Sequence, residues 1–373
     1  MLLPLLVCAP QEPHFVYPAP PPAAFTVRAD LVYKKSGSTA LEMDLFRPAS
    51  AARVQRFPVL VIFNGFGGAF MRNSSQSQSW AKIAAAHGFA GITMETTEGH
   101  VAEDFDSLVG YLKEHADDLQ VDSERVAVIA WSGNTSAGFA AVENPERKAI
   151  KAAVFYYGGG DVTQVRLDLP VLFVRAGLDQ IGSNQHIVQM IAAGITANAP
   201  WTVLNYSAGH HGFDGSDDNE LSRDVIEETF QFLQLALSDS YQAALHAGLP
   251  EASAAGALAT GDYAKAATLY GLLVDAHLQD VRLLLAYGNA LTGAKRYREA
   301  RNQFDRVKAI GTAGPRDLGL PAAKACVLDN DPDAAIAWLK TIPPQFLPGS
   351  VQDDPAFAPL KNRADFQALF AHR

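Results

Sequence analysis

A serine, an aspartate and a histidine pair, each standing just past an apolar run, are the residues of this chain that could do chemistry together. In Asp122-Ser-Glu-Arg-Val-Ala-Val-Ile-Ala130-Trp131-Ser132-Gly133-Asn134 a buried strand is expected to end at Ala130, with Ser132 following at once and a helix starting after it. A serine on such a strand–turn–helix junction is exposed at the tip of a sharp turn, where its hydroxyl can act as a nucleophile. Small residues are wanted two before and two after it, because strand and helix backbones nearly touch there. Ala130 meets the first need; Asn134 departs from the second, although asparagine accepts positive φ better than most residues. Ser136, with Gly138 two residues on, is a rival that lies a helical turn past the strand end. The run from Pro170 to Asp179 reads as a strand entering a turn with a carboxyl at its tip, where a plain turn or N-cap aspartate is the alternative. Tyr206-Ser-Ala-Gly209-His210-His211-Gly212-Phe213 sets two histidines in a glycine-flanked loop after the last strand.

The chemistry open to this set is nucleophilic. A serine hydroxyl attacks poorly until an imidazole takes its proton, and the same imidazole can later hand that proton to a leaving group. A carboxylate behind the imidazole fixes its tautomer and stabilises the imidazolium. The oxyanion formed needs two backbone donors. One is expected from Gly133, the other from Asn64-Gly65-Phe66-Gly67-Gly68, where Phe66 is preferred and Gly65 is the alternative. A plain tight turn is the structural reading of that glycine cluster. His210 with Asp214 raises the idea of a metal, but Asp217, Asp218 and the glycines around them favour a solvated loop, so neither metal nor cofactor is expected.

These residues need a scaffold, and the chain supplies one. Apolar runs at Val59–Phe63, Ala90–Met94, Val126–Ala130, Ala152–Tyr156, Val171–Arg175 and Thr202–Asn205 suit parallel strands buried on both faces. Helical patterns lie between them at Ser79–His87, Val101–His115, Asn134–Val142, Asn184–Ala197 and Leu221–Leu237, and Leu41–Phe46 alternates as an antiparallel edge strand would. The order predicts an open, mostly parallel α/β sheet with helices on both faces. All three side chains then stand at the C-terminal ends of strands, where such sheets hold their sites.

Past residue 240 strands vanish and a repeat begins. Tyr263, Ala266 and Tyr270 recur as Tyr297, Ala300 and Phe304, each 34 residues on, and Ala334 and Trp338 give a fainter third copy. Gly261-Asp-Tyr-Ala-Lys-Ala-Ala and Ala294-Lys-Arg-Tyr-Arg-Glu-Ala resemble the second-helix entry of a tetratricopeptide repeat, in which a small alanine lets helices approach and an aromatic fills the gap to the next pair. The tail from Asp354 to Phe370 looks like a closing cap. Charge divides at the same place: residues 241–373 carry 14 basic and 13 acidic side chains, the preceding 240 carry 16 and 27. The expected organisation is a proline-rich arm over 1–26, an α/β domain over 27–240 and helical repeats over 241–373.

Composition narrows the classes. A net charge of −10 argues against nucleic acid as the main partner, and no apolar run is long enough to span a membrane. Cys8 and Cys326 stand too far apart in sequence for a disulfide framework or a zinc motif. The start, Met1-Leu-Leu-Pro-Leu-Leu-Val-Cys-Ala-Pro10, resembles a signal-peptide core but lacks a basic flank and is broken by Pro4, so a cytoplasmic location is favoured over export. The proline-rich stretch from Pro10 to Pro22 is expected to be an extended arm and not a packed element.

Residues 27–237 resemble the α/β-hydrolase superfamily, and within it the dienelactone-hydrolase branch. The resemblance is carried by Asn64-Gly-Phe-Gly-Gly68, the run from Asp122 and Arg125 into Ser132, Phe155-Tyr-Tyr-Gly158, the strand to Asp179 and Gly209-His-His-Gly-Phe213. It implies a Ser132–His211–Asp179 triad, with the phenylalanine two residues on selecting His211 over His210. Dienelactone hydrolases proper carry a cysteine nucleophile; serine members of the branch resemble carboxylesterases. Asn64 stands where histidine is common and Asn134 where glycine is common. The implied activity is hydrolysis of small or medium acyl or aryl esters through an acyl-enzyme. The alternatives are a peptidase or thioesterase on the same triad, or a hydrolase domain that has lost activity and serves as a repeat-mediated interaction protein. The dozen residues between Tyr157 and Pro170 are too few for a helical lid, so an open pocket is expected, walled by Trp131, Phe66, Phe70 and Tyr157. The repeats are a surface for a second copy or a protein partner.

Overall fold

The computed structural model describes residues 15–36, 39–49 and 56–371. The signal-like start and Cys8 lie outside them. The chain divides into two compact units, Met1–Ile195 with Ala199–Ala247, and Thr196–Asn198 with Gly248–Arg373.

The first unit is an eight-stranded sheet built from β1 (Phe25–Ser36), β2 (Thr39–Pro48), β3 (Phe57–Ile62), β4 (Ala90–Met94), β5 (Val121–Trp131), β6 (Ile150–Tyr156), β7 (Val171–Ala176) and β8 (Trp201–Tyr206), ordered β1-β2-β4-β3-β5-β6-β7-β8. β1 and β2 pair antiparallel, as do β2 and β4; every later pairing is parallel. The expected edge strand is therefore an inner one. Leu41–Phe46 lies between β1 and β4, and the edge is Phe25–Ser36.

The two-sided apolar runs work as a period of two requires. Val59, Val61 and Phe63 join one core while Leu60 and Ile62 join the other, and Ala130 and Trp131 of β5 part in the same way. The first core is closed by α3 (Val101–Glu114) through Phe105, Leu108 and Leu112, and by α5 (Asn134–Glu143) through Phe139 and Val142. The second is closed by α2 (Ser75–Ala86) through Trp80 and Ile83, and by α8 (Glu220–Ala236) through Ile226, Phe230 and Leu233. Both of these helices start on a capping side chain, Ser74 accepting from Ser77 N–H and Asn219 from Ser222 N–H. Short α1 (Phe70–Asn73), α4 (Ala116–Leu119) and α7 (Phe213–Ser216) and the sixteen-residue α6 (Ile181–Thr196) complete the set. This is an α/β-hydrolase fold.

Phe15–Tyr17 of the arm are packed, contrary to the expectation of a free extended segment, whereas Pro18, Ala19, Pro21 and Pro22 are exposed. Val16 is buried and its N–H donates to the Asp214 carbonyl, Phe15 meets the Trp80 ring edge-on at 5.6 Å, and Tyr17 OH donates to Glu227 at 2.7 Å. Phe15, Val16 and Tyr17, three consecutive side chains with apolar bodies, give this end of the arm something to bury, and the prolines after them oppose only helix, not docking.

Among its described residues the second unit holds helices and no strand, with α10 (Tyr263–Ala276), α11 (Val281–Gly293), α12 (Tyr297–Ile310), α13 (Pro315–Leu328), α14 (Pro332–Leu339) and α15 (Ala364–Ala368), and the unit boundary falls inside α9 (Asp239–Ala259). Tyr263 and Tyr297 open α10 and α12, and Ala266, Ala300, Tyr270 and Phe304 are all buried. A Cβ on Gly288 would come within 2.5 Å of the Phe304 ring, so α11 and α12 approach closely there. Val351, Phe357, Leu360, Phe366 and Phe370 of the tail form a closing core with Ile336 and Leu339.

Candidate active site

β5 runs out at Trp131 and α5 starts at Asn134, which leaves Ser132 and Gly133 as the whole turn. Ser132 holds φ +52, a left-handed value that costs a side chain with a Cβ of order 1–2 kcal/mol, and its N–H donates to the Tyr156 carbonyl. The strain buys exposure of the hydroxyl. Space for the turn comes from neighbouring glycines. A Cβ on Gly158 would meet the Ser132 carbonyl at 2.3 Å, and one on Gly133 would lie 2.4 Å from the Phe66 ring. Gly138 serves helix–strand approach, since its Cβ would come within 2.9 Å of that of Ala130. Ser136, exposed on α5, has no histidine beside it among the contacts described.

Ser132 Oγ lies 2.8 Å from His211 Nε2, and His211 Nδ1 lies 2.8 Å from Asp179 Oδ2. The Asp179 side chain is 1% exposed and its other oxygen accepts from Gln180 N–H, whereas His211 is 44% exposed and reachable from solvent. His210 faces elsewhere. Its backbone N–H and its ring both engage Asp217. Burial works against ionisation of Asp217, but the bonds from His210 and Ser216 outweigh it and hold the carboxyl below its ordinary range.

Ser132 and His211 open into a cavity of about 510 Å³ whose wall includes Phe15, Phe66, Phe70, Met71, Trp131 and Tyr157. All four aromatic residues expected at the pocket are there. The segment from Gly158 to Leu169 forms no helix, so nothing helical covers the mouth from that side. None of the wall residues is a lysine, arginine, aspartate or glutamate. Among the described residues no group of His, Cys, Asp and Glu could hold a metal.

Phe15, Met71, Gln76 and Asp214 are pocket or support residues that sequence reasoning missed. Asp214 was expected in a solvated loop with Asp217 and Asp218; it is fully buried at the start of α7. Its oxygens accept from Trp80 Nε1 at 2.9 Å, Gln76 Nε2 at 2.8 Å and Tyr157 OH at 2.5 Å. Burial, with Asp214 beside it, pushes the Tyr157 phenol far above its ordinary value, so Tyr157 stays a donor. Its ring packs on His211 at 4.9 Å between centroids. The only sequence signal was position: Asp214 directly follows the phenylalanine of the histidine loop.

Residues 76–237, from α2 to the end of α8, match the Dienelactone hydrolase family. The matched segment holds all three hydrogen-bonded side chains. No curated protein matches the chain. Among solved structures, MGS-M1, an alpha/beta hydrolase enzyme from a Medee basin deep-sea metagenome library, is 13% identical over 58% of this chain and 99% of its own, with a TM-score of 0.48. A thermophilic esterase from Thermogutta terrifontis, Est2, is 18% identical over 58% of this chain and 94% of its own, with a TM-score of 0.46.

Proposed function

We propose that this protein is a serine hydrolase that cleaves neutral carboxylic esters through Ser132, His211 and Asp179. The observation that carries the reading is the unbroken chain of two 2.8 Å contacts from Asp179 through His211 to a serine held at left-handed φ. His211 Nε2 takes the Ser132 proton as Oγ bonds to the ester carbonyl carbon, and the carbonyl π electrons move onto its oxygen. Collapse of that intermediate expels the alcohol, which receives the proton from His211. Water then repeats both steps on the acyl-enzyme and releases the acid.

Gly133 is exposed and its N–H takes the first oxyanion position. For the second, the Gly65 N–H is committed to Asn134 Oδ1 at 2.7 Å, so Phe66 N–H, held more loosely by Asn64 Oδ1 at 3.1 Å, is the donor. A cavity walled by aromatic rings and bare of charged side chains favours an uncharged acyl group of small to medium size.

Hydrolysis of p-nitrophenyl acetate and butyrate by the wild type and Ser132→Ala, with a fluorophosphonate label mapped by peptide, tests this. Turnover and a label on Ser132 in the wild type alone is the expected result. Absence of both would sink it and leave the interaction-protein reading. Acyl-thioester and peptide-anilide substrates in competition separate esterase from thioesterase and peptidase.

A further inference from the structure

The two asparagines that depart from the family pattern turn out to grip the same loop. Asn134, first residue of α5, turns its side-chain oxygen to the Gly65 N–H at 2.7 Å. Asn64, at the end of β3, turns its own to the next amide, Phe66 N–H, at 3.1 Å. The Asn64 amide nitrogen donates to the Gly68 carbonyl at 2.9 Å and, at 3.4 Å, to the Met94 carbonyl. The two residues are 0% and 2% exposed. Two consecutive peptide planes of the loop are thus fixed, one from the serine turn and one from the strand end. Gly65 makes the approach possible, since a Cβ there would lie 3.3 Å from the Asn134 Cα.

We infer that Asn64 and Asn134 are a paired positioning device that aims the Phe66 amide at the oxyanion opposite Gly133. The inference rests on the proposed serine-hydrolase reading. A transition-state donor has to be oriented before charge develops, because reorientation at that moment would raise the barrier. Glycine at 134 would release the Gly65 N–H, and with it the plane of the neighbouring peptide. The acceptor on Phe66 N–H also has to be weak. A neutral amide oxygen at 3.1 Å lets the N–H be shared with a developing oxyanion, whereas a carboxylate there would hold it about twice as strongly. A carboxylate at 64 would further face the Gly68 and Met94 carbonyls that now receive a donor. Both departures therefore have a chemical reason to be amides, and together they fix both peptide planes.

The test compares wild type, Asn134→Gly and Asn64→Asp on p-nitrophenyl acetate, with inhibition by an alkyl trifluoromethyl ketone, whose serine adduct carries the oxyanion. Each variant is expected to lose about 10–100-fold in kcat with KM within about threefold, and to lose ketone affinity in step with kcat/KM. Melting curves identify a variant that fails to fold; Asn134→Gly restores the common residue and keeps the test open if Asn64→Asp does not fold. Unchanged kcat in a folded Asn134→Gly, or equal loss of ketone and substrate binding at constant kcat, would overturn the pair while an active wild type and an inert Ser132→Ala left the serine-hydrolase reading standing. A wild type without turnover or label would remove both.

Discussion

Replacing Asp214 by asparagine is the most informative single perturbation of the pocket wall. Three donors converge on its carboxyl, two on Oδ2 and the Tyr157 hydroxyl on Oδ1. Asparagine keeps one acceptor and adds a donor. The less costly orientation leaves its oxygen to Trp80 and Gln76 and turns the NH₂ toward Tyr157. The phenol can accept that bond, but its own hydrogen then has no acceptor in a site closed to water. One lost hydrogen bond and one stranded buried donor cost about 2–3 kcal/mol, or roughly 5–10 °C in a unit of this size. In a Tyr157→Phe background neither the bond nor the phenol hydrogen is there to lose, and only the unpartnered NH₂ of the new asparagine costs, about 1 kcal/mol. The expected coupling is about 1–2 kcal/mol, favourable to the native pair. Thermal unfolding followed by tryptophan fluorescence reads it, since Trp80, Trp131 and Trp201 all belong to the first unit. Because the Tyr157 ring rests on His211, kcat should also fall in Asp214→Asn and fall no further in the double variant. Equal, additive costs in the two backgrounds would refute the network.

Two other expectations concern stability. Ser132→Gly should be more stable than Ser132→Ala by about 0.5–1 kcal/mol, because glycine accepts φ +52 without the Cβ penalty while surrendering part of the gain to its more flexible unfolded chain; a less stable glycine variant in denaturant melts would contradict a strained turn. Burial, in a site where the ring stacks on Phe230 at 4.2 Å, lowers the His87 imidazole below its ordinary value near 6.5, with Glu227 offsetting part of the effect. The unfolded chain then takes up a proton that the folded one refuses, so stability is full above about pH 6.5 and declines as the pH falls through that value. His87→Phe should flatten the curve between pH 7 and pH 5, and an unchanged slope would exclude His87 as its source.

Strands buried on both faces announce themselves because every residue must be apolar, whichever side it points to. Five of the eight strands, β3 to β7, were legible for that reason, and the helices between them followed from their periodicity; the run Thr202–Asn205 also marked β8, but that strand is the other edge of the sheet and half of its residues are exposed, so it is not buried on both faces as expected. β1 was not. Its sequence, Phe25-Thr-Val-Arg-Ala-Asp-Leu-Val-Tyr-Lys-Lys-Ser36, carries four charges on a sheet edge, where charge is how an exposed ladder avoids pairing with another chain. Its alternation is also broken where Asp30 takes φ +55 and the register to β2 slips between Arg28 and Leu31. β2 then looked like the edge, since its outer partner had left no pattern.

The site was legible where its parts lie along the chain and illegible where they meet across it. Serine, aspartate and histidine each follow a strand, so topology alone brings them to one end of the sheet. Asp214 has no such marker. Its burial is decided by donors at positions 76, 80 and 157, and nothing near residue 214 separates it from the solvated Asp217 and Asp218. The same holds for the serine turn. The preference for a small residue two after the nucleophile is a statement about room between two backbones, and Asn134 looked like a fault in it. The room is supplied from the opposite side by Gly65, whose missing Cβ would lie 3.1 Å from Ala137 Cβ and 3.3 Å from Asn134 Cα. A steric rule that fails on one segment can be satisfied by another 69 residues away, and the side chain admitted there becomes available to hold the loop that made way for it.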